Sequence, residues 1–170
     1  MYEVDLGMAI LRVVAGITLA LHGINKFRGN LGGVAGWFDS IGMRPGRFNA
    51  TMAASSETFG GLLLALGFLT PFAALAVVGT MTVAGWIEHR HHFFILDNGF
   101  EYVMIMATIA VSVSTVGPGK WSIDGAIGIY DDLNGWIGLL IAGVGGLAAA
   151  AGHLALFYRP PQPAAAPGAA

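Results

Sequence analysis

Apolar residues gather into five long runs along the chain, separated by stretches where polar residues, glycine and proline concentrate. The runs extend from about Leu6 to Leu21 or Gly23, Thr51 to Leu69, Phe72 to Ile87, Phe100 to Val116, and Trp136 to Tyr158. Each is close to the roughly 20 residues that a helix needs to cross a bilayer. Alternation with period two is missing and the runs are too long for strands, so the pattern predicts helices throughout. Thr70-Pro71 marks a tight turn, and Pro71 suits the first position of the helix that follows. The predicted fold class is an all-α, polytopic membrane helix bundle.

The connections carry their own signals. Between Lys26 and Ala50, the residues Val34, Trp37, Phe38 and Ile41 fall at i, i+3, i+4 and i+7. That spacing predicts a short amphipathic helix lying at the membrane interface, against the plainer reading of a loop segment packed over the end of the bundle, with Gly42 to Pro45 ending it. Gly117 to Gly135 holds Gly-Pro-Gly, Asp124, Asp131 and Asp132. In the last run Gly138, Ala142, Gly146 and Ala150 recur every fourth residue. Such a stripe of small residues allows close helix packing, and packing within the same chain is the expected use ahead of contact with another subunit. The Pro/Ala-rich tail from Pro160 to Ala170 has no means of burying itself and is expected to be disordered or extended.

Composition strengthens the membrane reading. Of 170 residues, 55% are hydrophobic and only 11% charged, against roughly 25% charged in average soluble domains. The 26 glycines would weaken helices in water but suit helix contacts in lipid. A net charge of −2 and the lack of any Lys/Arg-rich run exclude a nucleic-acid partner. Cysteine is absent, so disulfides, thiolate metal sites and cysteine-held iron–sulfur clusters are excluded within the chain. Glu3 and Asp5 stand where a cleavable signal would be positive, and Arg12 interrupts the apolar stretch, so the first run is expected to be retained as a membrane helix.

With five spans the termini lie on opposite sides. Lys26, Arg28, Arg44, Arg47, Arg90 and Arg159, six of the eight basic residues, then share one side with the tail, while Lys120 lies on the other and Arg12 within the membrane. The positive-inside rule puts the six-cation side in the cytoplasm and the N-terminus outside.

Ionisable groups gather near that same side. His22, Glu88, His89 and His153 fall at helix ends there, Asn98 and Glu101 open the fourth run, and Glu57 lies roughly 10 Å into the second. Arg12 lies roughly 15 Å deeper than His22 and meets Glu57 only if the second helix begins earlier than Thr51. Charge inside a membrane is costly unless paired or facing a cavity, which makes Glu57 and Arg12 the leading site candidates, followed by His22 and Glu101. Against each stands a plainer role: a register-fixing ion pair for Glu57 and Arg12, an interfacial side chain for Glu101, a carbonyl-bonded helix-end imidazole for His22. His89-Arg90-His91-His92 offers imidazoles, but a run without fixed helical or strand spacing is weak ground for a metal, and no metal site is assigned. A b-type haem needs two histidines on facing helices at one depth, which His22 with His153 or His89 would supply.

Four stretches together resemble the DoxX family of membrane proteins. They are Leu21-His22-Gly23-Ile24-Asn25-Lys26 preceded by Arg12, Glu57-Thr58-Phe59-Gly60-Gly61-Leu62-Leu63-Leu64 continuing to Gly67-Phe68-Leu69-Thr70, Asn98-Gly99-Phe100-Glu101-Tyr102, and Gly117-Pro118-Gly119-Lys120-Trp121-Ser122-Ile123-Asp124. The resemblance covers roughly residues 6 to 125 and implies a four-helix membrane core over 1–125. Residues 126–159 then form a linker and an additional fifth helix, and 160–170 the tail. It also implies that Arg12, His22, Lys26, Glu57, Asn98, Glu101 and Asp124 occupy motif positions.

The family's name is linked to a membrane subunit of a thiosulfate:quinone oxidoreductase, and other members are associated with membrane complexes handling oxidative and thiol stress. Three readings follow by analogy. The first is a scaffold or assembly subunit in the cell membrane, recruiting partner redox proteins of an oxidative-stress complex. The second is a quinone-linked oxidoreductase subunit, with Arg12, His22, Glu57 and Glu101 as the catalytic candidates and His22, Lys26, Glu57 and Asn98 as the cofactor-binding ones. The third is a small-solute or proton transporter, although no Gly/Pro-broken helix pair stands in matching halves. The partners expected are the lipid bilayer, redox proteins and a quinone.

Overall fold

A computed structural model describes residues 2–160; the Pro/Ala-rich tail expected beyond Pro160 lies outside the described residues. The chain is helical almost throughout. Helix α1 spans Tyr2–Arg28 and α2 spans Leu31–Ser40. Helix α3 covers 46–66, α4 Thr70–His89, α5 Glu101–Val116, the short α6 Ile123–Ile127, and α7 Gly135–Phe157. Three of them, α1, α4 and α7, are long and apolar enough to cross a membrane, and the apolar α5 is shorter at 16 residues. The outer surface of the bundle carries Val14, Ile17, Phe59, Leu66, Leu140 and Val144 exposed, an apolar belt that water would not tolerate and lipid does.

Helix α4 is the central element and packs against α3, α5 and α7. Its core-facing Ala73, Ala74, Val77, Val78 and Met81 meet Leu19, Leu64, Val113 and Ala142 in one buried cluster. Small residues set how closely the helices approach. A Cβ on Gly16 of α1 would lie 2.5 Å from the Gly61 carbonyl oxygen and 2.6 Å from the Ala65 nitrogen of α3, so only glycine fits at that crossing. The stripe Gly138, Ala142, Gly146 and Ala150 is buried along its whole length. It faces the chain's own α4 and α5, with Ser114 donating to the Gly138 carbonyl at 2.9 Å and Val78 against Gly146. That places the stripe inside the bundle.

At one end of the bundle α1 begins, α3 turns into α4, and the 117–134 connection folds over both. The turn runs through Gly67 and Leu69, both left-handed at φ 62° and 46°. Asp124 caps α4 across the chain, accepting from the Leu69 and Thr70 amides at 2.8 and 2.9 Å and from the Thr70 hydroxyl at 2.6 Å. At the opposite end α2 lies over the bundle. Phe38 is buried and Trp37 exposed, and Phe38 and Met43 pack with Val83, Ile87 and Leu154. The segment is a helix, as its spacing predicts, and its buried face packs on the bundle end. Backbone bonds from Arg44 to the Phe157 carbonyl (2.9 Å) and from Arg159 to the Gly42 carbonyl (2.7 Å) pin the end of α7 there.

Candidate functional site

Three helices depart from α geometry. Ser56–Gly60 of α3, Gly85–His89 of α4 and Leu140–Gly145 of α7 are wound as π-helix. Such turns carry an extra residue and re-aim the side chains on them, and they concentrate at functional sites. Two of the three carry ionisable groups, Glu57 on α3 and Glu88 and His89 on α4. Both turns face the same space.

That space is a cavity of about 560 Å³ at the α2 end of the bundle, within the roughly 300–1,000 Å³ of small-molecule sites. Its walls are mainly apolar, with Trp37, Phe38, Met43, Met52, Met81 and Val103 among them. A few polar groups interrupt them: His22 and Lys26 from α1, Asn49 and Glu57 from α3, Glu88 and His89 from α4, Tyr102 from α5 and His153 from α7.

Glu57 is 7% exposed and holds the Lys26 ammonium in an ion pair. Lys26 needs its long stem for this, because it sits near the end of α1 with its side chain 27% exposed. His22 donates from Nδ1 to the Thr18 carbonyl at 3.1 Å, and His89 from Nδ1 to the Asn98 carbonyl at 2.9 Å. A carbonyl only accepts, so the hydrogen is on Nδ1 in both rings, and in the neutral imidazole Nε2 is left as an acceptor. The His22 ring stacks on Tyr102 with centroids 5.5 Å apart. Two of the lining residues carry a buried polar atom without a hydrogen-bond partner among the described residues, the Tyr102 hydroxyl and Asn49 Oδ1.

The structure thus brings His22, Lys26 and Glu57 together. Asn98 stands behind the cavity wall, where its amide donates to Glu88 Oε1 at 2.5 Å and its carbonyl receives His89. It orients two lining groups without lining the space itself. Its left-handed backbone (φ 59°) suits asparagine. Glu101 is half-buried one residue before Tyr102 and is not part of the lining.

Arg12 lies at the opposite end. Its guanidinium donates to the carbonyls of Ala65, Pro118 (2.9 Å) and Trp121 and is within electrostatic reach of Asp124. Helix α3 does begin earlier than Thr51, yet Arg12 does not meet Glu57. It is level with Ala65, eight residues or about 12 Å along α3 from Glu57. Arg12 ties the 117–124 connection to α1 and α3, and none of these hydrogen-bond partners lines the cavity.

Of the three histidines considered for haem, His22, His89 and His153 all line the cavity. Among the described residues no group of three or more His, Asp or Glu is arranged to hold a metal ion. Asn49 and Tyr102 escaped the sequence reading. A tyrosine at the start of an apolar run reads as an interfacial anchor, and an asparagine in the long connection reads as a turn residue.

The family model of DoxX matches residues 7–90, the stretch that carries His22, Lys26, Glu57, Glu88 and His89. The chain is 28% identical over 110 residues to the "Putative oxidoreductase CatD" of Bacillus subtilis (strain 168), covering 65% of this chain and 80% of that protein. It is 27% identical over 125 residues to the "Inner membrane protein YqjF" of Escherichia coli (strain K12), covering 71% and 91%. An uncharacterized protein of Haemophilus influenzae is 28% identical over 142 residues, covering 78% and 91%. No solved structure matches.

Proposed function

We propose that the protein, whose residues 7–90 match the DoxX family model, is the membrane subunit of a redox system and binds a quinone in the α2-end cavity. The observation that carries this reading is the cavity itself, an apolar space of about 560 Å³ with isolated donors and acceptors in its wall. A quinone is an apolar ring with two carbonyl oxygens, and it matches that distribution. The two orphaned polar atoms, Tyr102 Oη and Asn49 Oδ1, are buried groups that cost stability unless something pairs with them. When bound, a quinone would supply two-electron chemistry that the side chains lack. Lys26 and Glu57 would hold a proton at the cavity wall, with Lys26 in contact with the surface. The name of the Bacillus subtilis relative, an oxidoreductase, accords with this reading.

On this reading the cavity opens on the side that carries Lys26, Arg28, Arg44, Arg47 and Arg90, which the positive-inside rule makes cytoplasmic. The Escherichia coli relative's name places that protein in the inner membrane. A scaffold role is favoured by a separate observation: Phe93, Phe94, Ile95 and Leu96 are all exposed beyond the end of α4, as a covering redox protein would require. Native mass spectrometry of gently extracted protein, with quinones analysed in its lipid extract, separates the two. Stoichiometric quinone supports the first reading. A bound protein partner without quinone sinks it and leaves the scaffold.

A further inference from the structure

Tyr102 has the anatomy of a ligand-binding group, although it is not among the residues singled out in its sequence stretch. Its ring is fixed by stacking on His22, which is itself tied to the Thr18 carbonyl. It lines the cavity. Its hydroxyl is buried and has no partner among the described residues. An unmet hydroxyl in an apolar surround is destabilising, and a chain folding for stability alone would place phenylalanine there. The Glu57 carboxylate is within electrostatic reach, but it is engaged by Lys26.

We infer that Tyr102 is the hydrogen-bond donor that recognises the ligand, and that the ligand presents a neutral acceptor oxygen to it. The charges around the cavity set that chemistry. Lys26 is neutralised by Glu57, and Glu88 adds a further carboxylate held by Asn98. The lining therefore carries one cation against two anions, which disfavours carboxylate, phosphate or sulfonate ligands. As neutral imidazoles His22 and His89 keep Nδ1 occupied and present Nε2 as an acceptor, and the second orphan, Asn49 Oδ1, is also an acceptor. Among the donors of the lining, Tyr102 is the buried one without a partner, and it is placed to meet a carbonyl. The acceptors suit a hydroxyl, so one site serves both the carbonyl and the hydroxyl form of the same ring. This inference rests on the quinone reading and adds to it the residue that makes the contact and the exclusion of anionic ligands.

The test uses the full chain in lipid nanodiscs, wild type and Tyr102→Phe, with quenching of tryptophan fluorescence as the binding signal, since Trp37 lines the cavity. Two probes are titrated: menadione, a neutral naphthoquinone, and 1,4-dimethylnaphthalene, which has similar shape and no acceptor oxygen. Wild type is expected to bind menadione about tenfold tighter than the hydrocarbon, and Tyr102→Phe to lose that preference. The variant is also expected to melt at the wild-type temperature or a few degrees higher without ligand, because it removes an unsatisfied hydroxyl. Equal menadione affinity in both proteins overturns the role of Tyr102 while leaving the quinone reading standing. A variant that melts well below wild type overturns it too, since the hydroxyl would then be a structural partner. Wild type binding neither probe removes the quinone reading and this inference together.

Discussion

Replacing Asp124 by alanine separates the two polar clusters of this bundle by their energetics. Asp124 is 2% exposed and accepts three hydrogen bonds, from the Leu69 amide, the Thr70 amide and the Thr70 hydroxyl. The residue that precedes α4, Leu69, caps nothing with its own side chain, so Asp124 supplies the cap from another part of the chain. It is also the anion near Arg12, a residue 3% exposed. Hydrogen bonds to a charged acceptor contribute roughly 1.5–3 kcal/mol each, but these three share one carboxylate and do not add. Removing one member of a buried charge arrangement costs about 3–5 kcal/mol, and Asp124→Ala is expected near 4 kcal/mol. Glu57→Gln leaves an amide oxygen for Lys26, whose head is partly solvated, and is expected to cost about 1 kcal/mol. At roughly 2–4 °C per kcal/mol, thermal unfolding in nanodiscs should fall by about 8–16 °C for Asp124→Ala and only a few degrees for Glu57→Gln. A shift under about 2 °C for Asp124→Ala, or an equal loss for both, would refute the division into a structural end and a ligand end. Arg12→Met combined with Asp124→Ala should cost less than the sum of the two, because each leaves the other exposed to the same penalty.

Other consequences follow from named contacts. Gly16→Ala puts a methyl 2.5 Å from the Gly61 carbonyl, and the accumulated protein should drop several-fold on a membrane immunoblot while Gly7→Ala, which meets nothing within 4 Å, leaves it unchanged. Thr80→Trp fills the cavity from α4, and should weaken menadione binding at least tenfold at normal abundance; unchanged binding would place the ligand elsewhere. The chain has no cysteine, so single cysteines report sidedness directly. Lys120→Cys should react with an impermeant maleimide in intact cells, and Arg47→Cys only after permeabilisation, with the reverse result inverting the topology.

The helix bundle was legible because hydropathy and helix length speak to the bilayer alone. The apolar run starting at Phe72 became α4 with its ends moved by two residues. The stripe through Gly138 and Ala150 pointed inward because only small residues allow that contact. Depth counting also grouped His22, Glu57, Glu88, His89 and His153 at one end, since rise per residue is fixed. What escaped was pairing. Arg12 and Asp124 are far apart in sequence, and no periodicity tells which of two helices a carboxylate will cap. Glu57 chose Lys26 over Arg12 because α1 and α3 cross at Gly16 and Gly61, a register set by glycine packing that hydropathy does not report. The π-helical turns that aim Glu57, Glu88 and His89 left no trace in composition either.

The central claim is that the cavity holds a quinone, and photolabelling tests it most directly. An azido-naphthoquinone is activated on the full chain in native-lipid nanodiscs, with excess menadione as competitor, and labelled peptides are mapped by mass spectrometry. The account predicts competable labelling on α3, α4 and α5 near Met52, Thr80 and Val103, reduced in Thr80→Trp. Labelling confined to the lipid-facing surface around Val144 and Leu147, or insensitive to competitor, would contradict it.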